Sequence, residues 1–153
     1  MKTNSKQPEN EFTIRLARRE DLPQINDLYE DLIETRSDLA EMEKNLEKIQ
    51  NDYCNRLLVA CRENEVVGTV QCSASRSVAF HCRPFMIVEY FIVKSTFRQH
   101  GVGRALLEKA EEIAREYNCS DLLLVSAAKR TIAHELYAKV GYDTTVKGFR
   151  KYL

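Results

Sequence analysis

The stretch PFMIVEYFIVKSTFRQHGVGRALLEKAEEIA, residues 84–114, decides the fold. Its opening, Pro84 to Lys94, is an apolar run broken by one acid, Glu89, the pattern of a central strand covered on both faces. Its close sets Val102, Leu106, Ala110, Ile113 and Ala114 on one helical face, with Glu and Lys opposite. Between the two stand Gly101 and Gly103, two of the chain's five glycines. Glycine in a strand-to-helix turn lets the backbone turn left-handed or come close to a neighbour.

Three anion-binding loops compete for that turn. A Walker loop needs G-x-x-x-x-G-K-[ST], but Arg104 and Ala105 follow Gly103. A dinucleotide fingerprint needs a third small residue where this chain has Leu106. The pattern R/Q-x-x-G-x-G/A is met by Arg98, Gly101 and Gly103, and it aims successive amides at a pyrophosphate from a helix start. Arg104 in the first helical turn opposes the helix dipole unless an anion is near, and Arg98 and His100 add donors. A tight turn with no ligand remains the alternative on these residues alone.

Outward from this stretch, the chain alternates between the two periods of regular structure. Phe12 to Ala17 alternates apolar and polar, as a strand does. Leu22, Ile25, Leu28, Leu32 and Ile33 recur at helical spacing, with Asp21 as expected N-cap and Pro23 in the first turn. Leu39, Met42, Leu46 and Ile49 predict a second helix over 38–51, its narrow stripe facing the core. RLLVAC and EVVGTVQCSA, separated by RENE, predict a hairpin. Beyond the glycine helix come a short strand, DLLLVS, and a helix, KRTIAHELYAKV, stopped by Gly141. GYDTT and GFRKYL are expected to close the chain as a strand pair. The fold class is therefore mixed α/β: a mostly antiparallel sheet flanked by helices, with a central parallel β-α-β unit around the glycines.

Composition bounds the partners. Twenty-three basic and 23 acidic residues give a formal net charge of zero, so no global field draws the protein to nucleic acid or membrane. No run approaches the ~20 apolar residues of a membrane span. Residues 1–10, MKTNSKQPEN, read as a polar, disordered tail rather than a secretory leader, ahead of one domain over 11–153. The five cysteines are odd in number and form no C-x-x-C pair, as expected for reduced thiols of a cytoplasmic protein without a metal. Cys82, beside His81, is a lesser candidate for a nucleophile.

VEYFIVKSTFRQHGVGRALLEKAEEIA followed by AHELYAKVGYD resembles the GNAT superfamily of acyl-CoA-dependent N-acyltransferases. The likeness extends to the opening IRLARREDLPQINDLY and is strongest over 87–142. It implies acetyl-CoA as acyl donor, direct transfer to a primary amine, and no metal. It also implies roles by position. The backbone of Phe91, Ile92 and Val93 lines up the pantetheine arm. The amides of Arg98, Gln99, His100, Gly101, Val102, Gly103 and Arg104 cradle the pyrophosphate. Tyr137 protonates the departing thiolate, and Glu89 takes the proton of the amine, often through water. Where many relatives have asparagine, this chain has Arg130, which is expected to contact cofactor or substrate.

The chemistry is consistent with that resemblance. An ammonium is no nucleophile, so the transfer needs a base, and a glutamate in an apolar strand is expected to be desolvated into a useful range. Glu30, Asp31, Glu34, Asp38, Glu41 and Glu43 are expected to form an acidic rim suited to a cationic amine. A small-molecule amine is the leading acceptor. A protein lysine or N-terminus and a non-catalytic acyl-CoA-binding module are the alternatives, and a homodimer is left open.

Overall fold

Alternation along one strand divides the molecule in two. In β2 (Asn55–Arg62), Leu57, Val59 and Cys61 join one apolar cluster while Leu58 and Ala60 join another, all of them buried. Successive strand side chains point to opposite faces, so the two clusters lie on the two sides of the sheet. This computed structural model describes residues 11–153, and the tail expected over 1–10 lies outside them.

The strands β1 (Thr13–Leu16), β2, β3 (Glu65–Ser75), β4 (Phe85–Val93) and β5 (Leu122–Leu124) lie side by side in that order. Pairing is antiparallel as far as β4, and β5 runs parallel to β4. Helices α1 (Leu22–Ile33) and α2 (Leu39–Asn51) cover one face through Leu22, Ile25, Leu28 and Leu46. Helices α3 (Val102–Glu116) and α4 (Thr131–Lys139) cover the other through Val102, Leu106, Ala110 and Tyr137. The mixed, mostly antiparallel class expected from the sequence is the one formed. The β4–α3–β5 unit is parallel as expected but stands at the edge of the sheet rather than its centre.

Two local expectations are corrected. Asp21 does not cap α1 with its side chain. Its carboxylate instead takes both guanidinium nitrogens of Arg15, at 2.7 and 2.8 Å, and the Arg18 amide at 2.7 Å, tying β1 to the helix start. Burial raises the Asp21 pKa, but these donors outweigh it and leave the group below its usual value. Asp38 is the side chain that caps, accepting from the Glu41 amide at 3.0 Å at the start of α2. On the stripe of α2, Leu46 is buried and Met42 and Ile49 half-buried, but Leu39 in the first turn is exposed.

The closing strand pair also does not form. Residues 143–153 carry no strand. Gly148 lies so close over Val125 that a Cβ there would stand 2.9 Å from its side chain. The segment thus packs flat on the residue after β5 instead of laddering along an edge three residues long.

Candidate active site

The site begins with a defect in β4. Gln71 of β3 faces Glu89 and Thr69 faces Ile92, so Tyr90 and Phe91 together oppose Val70. This is a β-bulge, and Tyr90 absorbs it with a left-handed φ of 50°, unusual for a residue bearing a side chain. On its other side β4 pairs with β5 only from Met86 to Val88, opposite Leu122 to Leu124. Past that point the two parallel strands part, and the gap between them opens into a cleft of about 300 Å3.

Glu89, Phe91, Arg130 and Tyr137, four of the residues singled out in the sequence, line this cleft together. Tyr137 is 5% exposed, its ring near those of Phe91 and Tyr142, each at 5.9 Å between centroids. The end of α4 explains its placement. Gly141, at φ 92°, donates to the Ala138 carbonyl at 3.1 Å, and Tyr142 donates to the Tyr137 carbonyl at 2.9 Å. That is a Schellman closure, and its usual apolar contact across the last turn is made here by Tyr142 on Tyr137. Burial raises the Tyr137 phenol above its ordinary pKa, with the charge of Arg130 acting against it.

Arg130 stands at the start of α4 and donates to the Phe91 carbonyl at 3.1 Å, joining β4 to that helix. Glu89 is exposed, so burial in an apolar strand does not desolvate its carboxylate as expected. Ile92 and Val93 turn inward: Ile92 is buried in the α1–α2 cluster and Val93 packs on the α3–α4 cluster.

Residues 98–104 form the neighbouring loop and do not line the cleft. Gln99 at φ 63° and Gly101 at φ 83° turn the chain into α3, whose start has no side-chain cap. His100 Nδ1 lies 2.7 Å from the Arg98 carbonyl, and Arg98 donates to the Val93 carbonyl at 3.3 Å. Val102 is buried, while Arg104 is exposed and stands 3.9 Å from Glu108. The two glycines act differently. Around Gly101 a Cβ would meet nothing within 4 Å, so its backbone twist is what glycine supplies. At Gly103 a Cβ would stand 2.9 Å from Leu136 and 3.2 Å from Phe91, so its smallness seats α3 against α4 and the bulge.

Other lining residues were not expected at the site from the sequence. Leu32 and Ile33 come from the end of α1, Ser126 from the link after β5, and Arg150 and Tyr152 from the last residues of the chain. Ser126 was findable, because ligands gather beyond the carboxyl ends of parallel strands. Its Oγ is buried without a hydrogen-bond partner among the described residues. None of the acids expected to rim the acceptor side lines the cleft. Glu30 pairs with Arg36, Glu41 with Lys44 and Glu43 with Arg19.

The cysteines take no part. All five are free, and Cys82 is exposed away from the cleft. Burial pushes the Cys72 thiol up to about 12 and raises Cys61 and Cys119 as well, so these stay protonated. Among the described residues no cluster of His, Cys, Asp and Glu is placed to hold a metal ion, and no helix is long and apolar enough to cross a membrane.

Comparison with known proteins agrees with this geometry. The model of the acetyltransferase (GNAT) family matches residues 23–142. A transcriptional regulator from Bacillus halodurans C-125 superposes with a TM-score of 0.86 at 25% identity, over 94% of this chain and 100% of its own. A GNAT family acetyltransferase from Staphylococcus aureus gives 0.74 at 28%, over 93% and 98%. The aminoglycoside N-acetyltransferase AAC(6')-Iy, solved with CoA, shares the fold at 0.76 and 19% identity, over 94% and 96%. The chain belongs to the GNAT acetyltransferase family and is an acyl-CoA N-acetyltransferase.

Proposed function

We propose that this enzyme moves the acetyl group of acetyl-CoA directly to a primary amine of a small molecule. The observation that supports this best is the meeting of Glu89, Arg130 and Tyr137 in one cleft where β4 and β5 part, next to an uncapped helix start. The residues fit the donor. The amides of 98–104, with the Arg98, His100 and Arg104 side chains, offer donors to a pyrophosphate at the positive end of α3. Past Val88, β4 has no strand on its β5 side; the Phe91 and Val93 carbonyls meet only the Arg130 and Arg98 side chains there, which a pantetheine arm would share or displace. Ser126 Oγ, buried and unpartnered, is a donor awaiting a polar ligand atom.

Each residue then has a task. Glu89, exposed on the cleft, takes the proton of the acceptor ammonium, directly or through water. The freed amine attacks the acetyl carbonyl and the C–N bond forms; the C–S bond then breaks, and the second nitrogen proton passes through water to the departing sulfur, giving the amide and the free thiol. Tyr137 meets the departing sulfur. Its phenol is held above 10, a weaker acid than a thiol of about 8.5, so it steadies the thiolate chiefly by donating a hydrogen bond. Arg130 keeps the bulge and the start of α4 together around that pair. A cleft of about 300 Å3, walled on one side by the C-terminal segment, favours a small acceptor over a protein chain.

Thiol release from acetyl-CoA across a panel of amines tests the reading. Release that requires both enzyme and amine is expected. A protein with no calorimetric affinity for CoA contradicts it, and CoA binding without turnover on any amine points to a binding module.

A further inference from the structure

Charge in the cleft is not arranged for a simple amine. Two cations line it, Arg130 and Arg150, against one carboxylate, Glu89. Arg130 is committed, through its bond to the Phe91 carbonyl and its place beside Tyr137. Arg150 and Glu89 are each without an ion pair within 4 Å among the described residues. Opposite charges on one cavity, near enough to line it together yet not joined, present a polar pair to whatever enters between them. On this exposed rim each head group stays hydrated until a ligand replaces its water.

Arg150 is carried by the last residues of the chain, which pass over Val125 at Gly148, close enough that a Cβ there would stand 2.9 Å from its side chain. Tyr152, itself part of the lining, stands beside the guanidinium. Around the pair, Leu32 and Ile33 from α1 and the Tyr90 ring supply apolar wall. A guanidinium is the side chain best suited to two-pronged recognition of a carboxylate or phosphate.

We infer that the acceptor is an amine that also bears an anionic group, its ammonium facing Glu89 and its carboxylate or phosphate facing Arg150. This rests on the acetyl-transfer reading above for the amine end only; the anion end stands on the cleft itself. It also replaces the acidic rim as the basis of acceptor choice, since those acids lie outside the cleft.

The test uses the full chain with CoA present and three acceptors of equal length: an ω-amino carboxylate, the matching aminoalkyl phosphate and the matching amino alcohol. Calorimetry should show at least one of the two anionic amines binding ten-fold or more tighter than the amino alcohol, and which one does so names the anion. Arg150→Ala should bring that amine down to the level of the amino alcohol, and Arg150→Lys should restore part of the difference. Equal binding by all three, no binding by any, or an Arg150→Ala variant that keeps the preference overturns the proposal. Anion-selective binding without acetyl transfer leaves the anion site standing and removes the catalytic reading instead.

Discussion

The two halves of the cleft are built by different means. The half beside β4 and α4 is positioned by backbone in unusual conformations: the bulge at Tyr90 in its wall and, behind the lining, the left-handed Gly101 and the Schellman turn at Gly141. The half beside α1 and the C-terminal segment is made of side chains, Leu32, Ile33, Arg150 and Tyr152, on elements far apart in the chain. Backbone machinery needs particular residue types at fixed spacing, as suits the constant acyl donor proposed for it. A side-chain wall can be altered one residue at a time, which suits the part that chooses the acceptor.

The contrast can be broken most severely at Tyr137. Tyr137→Phe is expected to lower turnover by about 10²–10³-fold, the usual loss on removing one donor to a developing charge, with CoA affinity unchanged. Unaltered turnover removes Tyr137 from the chemistry. Its pH dependence has a definite sign. The donor form is the protonated one, and burial raises the pKa, so Tyr137 adds no alkaline limb below pH 10. An absorbance titration of tyrosinate, compared between wild type and Tyr137→Phe, checks this. Ionisation of Tyr137 below pH 10 contradicts it.

Glu89→Gln comes next, with a fall in kcat/KM of about 10²-fold, the lower end for a general base. A Glu89→Gln variant that keeps the full rate returns Glu89 to the role of a surface acid.

The glycines sharpen the comparison on a smaller scale. Gly103→Val drives branched carbon into Leu136 and Phe91, and overpacking of this kind costs about 1–3 kcal/mol. Urea denaturation should show that loss, and CoA binding should weaken as α3 shifts. Gly101→Ala meets no atom within 4 Å and costs only the left-handed twist, about 1 kcal/mol. Equal losses at the two positions contradict the division of labour.

How far the site is legible in the sequence follows the same divide. Gly101, Gly103, Tyr137 and Gly141 announce themselves because turns and helix ends demand those types at those places. The resemblance then supplies roles that spacing alone does not. The expected desolvation of Glu89 fails because an apolar neighbourhood in sequence does not bury a residue on the open side of a bulge. The closing strand pair fails for a related reason: GYDTT and GFRKYL have strand-like composition, but β5 offers three residues of edge and the segment lies across Val125 instead. Arg150 is invisible, since nothing near residue 150 in the chain signals that it shares a cleft with residue 89.

The loop of residues 98–104 is proposed to hold the pyrophosphate of the acyl donor. Competitive calorimetry of acetyl-CoA against acetyl-pantetheine, which has the thioester arm but neither the phosphates nor the adenosine, measures what the nucleotide end adds to binding. Affinity at least 100-fold higher for acetyl-CoA is the predicted result. Equal affinity for the two, or no binding of either, contradicts it.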